Sequence, residues 1–180
     1  MEYKFDLNLR ALNEIKNRTK KIEIRANVGK IDYWIIKEND IIKFKNDNNI
    51  IVCRVKENNW YKSIEELLTL EGTKYTLLST DDLKEGIKSI NGLNGYEEVI
   101  KKLGVYAIHV EYLYDETNIW KELYEIAVNN LKPITNEFID FGGVSAAVLT
   151  ENCNIYSGVC IVYQKLKIWK WWLTKIRLWH

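Results

Sequence analysis

The sequence has a single proline and nine glycines in 180 residues, which excludes a collagen-like or low-complexity chain. It has three cysteines, Cys53, Cys153 and Cys160. They form no disulfide framework, so a reduced, cytoplasmic protein is expected. No stretch approaches the roughly 20 apolar residues of a membrane span. The opening MEYKFDLNLR is charged and alternating, unlike a secretory leader. The two histidines, His109 and His180, belong to different segments, and Cys153 and Cys160 stand seven apart across a turn signal. Neither spacing suits zinc, and no metal or other cofactor is expected.

The composition is 47% hydrophobic, 28% charged and 12% aromatic. It provides one full domain and part of a second. The net charge of +1 hides an asymmetry. Residues 1–62 carry 14 Lys/Arg against 9 Asp/Glu, residues 63–160 carry 7 against 16, and residues 161–180 carry 5 against none. A basic N-terminal face suits phosphate, and an unevenly charged solvated surface gives the same count.

KFDLNL alternates and predicts a strand, and ALNEIKNR predicts a helix. KKIEIRAN sets Ile22 and Ile24 against Lys21, Glu23 and Arg25, as a strand with a charged face would. IIKFK and IIVCRVKE, preceded by Asn39-Asp40 and separated by Asp47-Asn48-Asn49, predict a hairpin. Ser63 with Glu66 has capping-box spacing, and DDLKEGIKSI is a weak helical patch. Asn94 with Glu97 starts a further helix, which Gly104 ends before the strand VYAIHVEYL. DETN at 115–118 is a boundary. Beyond it, Trp120, Leu123, Ala127 and Leu131 share a helix face that Pro133 closes. VSAAVLT and NIYSGVCI around Glu151-Asn152 predict a second hairpin, with Gly143, Ser145 and Ala147 leaving room for a helix or a base to lie close.

Lys20, Glu23 and Arg25 are the candidate site residues. Alternation puts Glu23 and Arg25 on one side of their strand, and Lys20 lies within a turn's reach. The cations could hold a phosphate or a polarised carbonyl, and the carboxylate could accept from an amine or hydroxyl. A lysine beside a glutamate can also be tuned for proton transfer, and a plain structural ion pair has the same spacing.

Residues 3–113 resemble the ASCH family of PUA-like β-barrels. The family motif G-x-K-x-x-E-x-R is met by Lys20, Glu23 and Arg25, with Arg18 at the glycine position. Asn39-Asp40, WYKSIEELL and GVYAIHVEYL follow in the family's order. The resemblance implies RNA or nucleoside contact. Some members are similar to amidohydrolases acting on acetylated cytidine, which carry a threonine where this chain has Glu23. Binding of RNA or a nucleoside through Lys20, Glu23 and Arg25 is therefore expected, with an enzyme of amidohydrolase or nuclease type as the alternative.

Residues 120–161 resemble the N-terminal part of a cytidine or blasticidin-S deaminase in the order helix, Gly-Gly-Val-Ser-Ala-Ala, then N-I-Y-S-G-V-C-I. That family's zinc motifs and its proton-shuttling glutamate have no counterpart, so cytidine deamination is not expected. The fold class expected is α+β: a PUA-like barrel over 1–114, a helix-plus-hairpin deaminase-like fragment over 118–161, and a tail over 162–180. The fragment's open sheet edge is expected to pair with another copy or to pack on the barrel. The tail holds four Trp and five cations. It suits single-stranded nucleic acid or a membrane surface, ordinary packing, or an altered reading frame.

Overall fold

The computed structural model describes residues 1–29, 32–77, 80–131, 134–135 and 139–163. Pro133 and all but the first two residues of the Trp-rich tail lie outside them. The chain divides into two units, Met1–Ile119 and Trp120–His180. No helix among the described residues is long and apolar enough to cross a membrane.

The first unit runs β1 (Glu2–Asp6), α1 (Leu9–Lys16), β2 (Ile22–Arg25), β3 (Ile41–Asn46), β4 (Asn49–Tyr61), α2 (Ile64–Glu71), α3 (Leu83–Asn91), α4 (Tyr96–Leu103) and β5 (Val105–Asp115). Its five strands form one mixed sheet in the order β1-β3-β4-β5-β2. β1 runs parallel to β3, and the other pairings are antiparallel. The sheet curls into a half-barrel. Register shifts at Val52/Cys53 and Val55/Glu57 let the long β4 bend as it pairs with β5.

Turn chemistry sets this hairpin-rich path. Asn39 and Asp47 adopt positive φ of 68° and 51°, which short polar side chains tolerate. Ser63 caps α2 by accepting from the Glu66 N–H at 3.1 Å, as its spacing predicts. The start of α4 differs from expectation. Gly95, not Asn94, is the cap, at φ 76°, because the entry turn needs a left-handed residue.

Two apolar clusters lie on opposite faces of the sheet. Inside the curl, Phe44, Ile51, Cys53, Val55 and Ile108 pack with Leu12 and Ile15 of α1. Outside, Ile22, Ile24, Val105 and Ala107 pack under Leu67 and Leu68 of α2 and Ile100 of α4. β2 is therefore buried on both faces. The side bearing Glu23, read from the sequence as a charged face, is the inner side of the half-barrel.

The second unit opens with α5 (Ile119–Asn129), whose first residue closes the first unit, and continues with β6 (Ile134–Thr135), β7 (Ile139–Leu149) and β8 (Ile155–Tyr163). The strands form an antiparallel sheet in the order β6-β7-β8. The Ser145 hydroxyl donates to the Ala127 carbonyl, so α5 lies close over the small residues of β7. Leu123 and Ala127 are half-buried, but Trp120 and Leu131 are exposed. The expected apolar helix face is thus only partly packed.

Candidate functional site

The site begins at a backbone irregularity. After α1, the N–H groups of Asn17, Arg18, Thr19 and Lys20 fold back onto the carbonyls of Asn13, Ile15 and Glu14. The reversal holds Arg18 at φ 63°. A glycine would hold this φ without strain. Lys20 leaves the turn pointing inward.

Lys20 is only 6% exposed. Its ammonium donates to the Ile22 and Thr76 carbonyls, each at 2.6 Å, and lies 3.5 Å from Glu23 Oε2. Three donors thus meet three acceptors. Burial pulls the Lys20 ammonium below its ordinary pKa, with Glu23 acting in the opposite direction.

Glu23 sits opposite Ile108 of β5 and shares its inner face. Its Oε1 is 3.0 Å from Arg25 Nη2. The carboxylate is therefore held between two cations, and its field adds to burial in pushing the Cys53 thiol far upward. Arg25 spans the seam between the two edge strands. Its Nη2 donates to the Asp6 carbonyl of β1 at 2.9 Å, and the guanidinium lies over the Phe5 ring, 5.3 Å from its centre. Arg25 Nε is buried and has no hydrogen-bond partner.

All three sequence-predicted residues line one cavity of about 330 Å³. Thr76, Leu77, Ser89, Ile90, Leu93 and Tyr96 supply the opposite wall. Sequence reasoning missed these covering residues: Thr76 to Leu93 fall in a polar stretch with only a weak helical patch, and Tyr96 lies in a helix that was expected but not placed over the site. The available signal was the alternation of helix starts (Ser63, Asp82) with apolar side chains, which brings this stretch back over the strand. Burial raises the pKa of the Tyr96 phenol, opposed by Arg25.

A second polar cluster lies elsewhere on β4, α2 and β5. Glu71 Oε1 accepts from Tyr61 at 2.6 Å, from Asn59 at 3.2 Å, and meets His109 Nε2 at 3.0 Å. Among the described residues, no group of three His, Cys, Asp or Glu side chains is placed to hold a metal ion.

No family model matches the chain, and no curated protein matches it. Among solved structures it is similar to the crystal structure of hypothetical protein PH0355. That protein is 32% identical with a TM-score of 0.55, over 62% of this chain and 99% of its own. The chain is also similar to the solution structure of protein PF0455 from Pyrococcus furiosus. There the identity is 35% and the TM-score 0.52, over 63% of this chain and 98% of the other.

Proposed function

We propose, for a chain that belongs to the family of PH0355 and PF0455, that the first unit is a PUA-like barrel of ASCH type binding RNA or a nucleoside through the Lys20–Glu23–Arg25 cavity. The observation that carries this reading is the cavity itself: Lys20, Glu23 and Arg25 all line it, with the Glu23 carboxylate held between the two cations. A carboxylate has about four acceptor positions, so Glu23 can still accept after pairing with both cations. A carboxylate with acceptor positions to spare beside a guanidinium complements the amino edge of cytosine or adenine, where N–H₂ adjoins a ring nitrogen. The cavity volume lies at the small end of ligand pockets, in keeping with one base and its sugar.

Calorimetric titration with cytidine, adenosine and uridine tests this reading. Cytidine or adenosine should bind and uridine should bind more weakly, because its carbonyl faces the Glu23 carboxylate. Equal binding of all three, or of none, rejects it.

The second reading is an enzyme acting on a modified nucleoside or RNA, with Lys20 in proton transfer. The depressed Lys20 ammonium favours it, while the three acceptors around that ammonium favour a charged, positioning role. Turnover abolished by Glu23→Gln would decide for the enzyme. The second unit is read as a non-catalytic deaminase-like fragment that self-associates.

A further inference from the structure

Lys20 also walls a second cavity, of about 320 Å³, on its other side. Ile15 and Val110 give this cavity a buried apolar floor, with half-buried Tyr112 beside them. Its rim carries Arg18, Lys21 and Lys56 against one carboxylate, Glu111. Glu111 is committed to Lys56, at 3.3 Å, and to Arg54, at 4.0 Å. Arg18 and Lys21 have no carboxylate partner among the described residues. Lys21 is held in place by the Tyr75 ring, 4.5 Å from its ammonium.

Arg18 is the informative member. A non-glycine residue at φ 63° is strained, and such strain persists where the surroundings impose it and something is gained. Capping does not explain the side chain, since backbone N–H groups already satisfy the last carbonyls of α1. What an arginine adds at this position over a strain-free glycine is a guanidinium on the cavity rim.

We infer that this second cavity is a phosphate subsite, with Arg18 and Lys21 as its ligands, and that the molecule taken up is a nucleotide rather than a bare nucleoside. The inference rests on the nucleoside reading of the Glu23 cavity for the identity of the remainder of the ligand. Lys20 lines both cavities, which makes them neighbours. A planar guanidinium and a neighbouring ammonium are the donors that a phosphate monoester takes in charge-assisted hydrogen bonds.

Titration of the full chain with inorganic phosphate, cytidine and cytidine monophosphate at low ionic strength tests it. The monophosphate should bind at least about tenfold more tightly than cytidine, the scale of one charge-assisted hydrogen bond. In Arg18→Gly and Lys21→Ala that ratio should fall towards one. The melting temperature of Arg18→Gly should stay or rise, because glycine adopts this φ freely, so a lost ratio cannot be laid to unfolding. Equal affinity for cytidine and its monophosphate, or an Arg18→Gly protein that keeps the full ratio, overturns the subsite. Saturable phosphate binding that Arg18→Gly weakens, without any cytidine binding, supports the subsite and rejects the nucleoside reading instead.

Discussion

In the first unit Lys20 and Glu23 are each 6% exposed, while in the second Trp120 is 83% and Tyr124 69% exposed. One region encloses charge and the other presents hydrocarbon. The first unit has two apolar clusters, one on each face of its sheet. That much burial can offset the desolvation of an ion cluster, provided each charge finds partners. The second unit has one helix over a three-stranded sheet, and none of the side chains described in it is buried. Small units bury too little of their surface to stand well alone. Solvation therefore teaches opposite lessons in the two halves. A buried charge in the first must find its partners within the chain, and an exposed aromatic in the second gains little from its unit's packing.

The strongest way to break this contrast is to orphan a charge. Lys20→Ala removes one of Glu23's two counter-ions and strips the Ile22 and Thr76 carbonyls of their donor. A loss of about 3–5 kcal/mol is expected for breaking a buried pair from one side, measured by urea unfolding. A loss under about 1 kcal/mol, the worth of an exposed pair, would mean that water reaches the cluster freely.

A smaller loss is expected at Gly104, which joins α4 to β5 at φ 77°. A Cβ there would also run into the Trp60 indole, whose Nε1 donates to the Leu103 carbonyl at 2.9 Å. Gly104→Ala should cost about 2–3 kcal/mol, because φ 77° with ψ −166° is backbone that essentially only glycine adopts, and the Cβ would also meet the Tyr61 carbonyl while displacing the indole. Trp60 fluorescence should shift in the folded protein, and an unshifted spectrum would show that the indole had not moved.

Glu71 gives a pH test. Burial opposes its charge, but hydrogen bonds from Tyr61, His109 and Asn59 hold its carboxyl below the ordinary 4.5. A carboxylate depressed on folding contributes stability above its unfolded pKa and loses it as pH falls through the folded value. Glu71→Gln should therefore flatten the acid side of the stability curve below about pH 4.5. A curve with unchanged slope would remove Glu71 from the acid response.

Much of this was legible in the chain, because local chemistry decides it. The hairpin of β3 and β4 follows from alternation and its Asn and Asp turn formers, and Ser63 marks its own helix. Glu23 and Arg25 could be grouped because the period of a strand is two, and Lys20 joined them as a neighbour just before the strand. Three features were hidden for a common reason, namely that they depend on what packs from a distance. Local alternation could not reveal that α2 and α4 cover the Ile22–Ile24 face, turning the charged side of β2 inward. Nor could it place Thr76 and Tyr96 across from Glu23, or join Arg25 to the Asp6 carbonyl on the opposite edge strand. Arg18 is the reverse case. Its φ of 63° comes from a turn that local alternation does not signal, made with a residue more costly there than glycine.

The mildest substitution tests the second half of the contrast. Trp120, Tyr124 and Val128 recur at four-residue spacing along α5 and are all exposed. A side chain that stays in water gains little from folding, whatever its hydrophobicity. Trp120→Ser should therefore leave the unfolding midpoint almost where it was, within the roughly 0.5 kcal/mol typical of surface changes. Ile22→Ala, under the helices of the first unit, should cost about 2–5 kcal/mol by leaving a cavity. The pair of values measures how differently the two units use an apolar residue. If the second unit self-associates through this stripe, Trp120→Ser should lower the sedimentation coefficient while the first unit's unfolding stays unchanged. A loss above about 2 kcal/mol at Trp120, with no change in sedimentation, would instead mean that the indole is enclosed within its own chain.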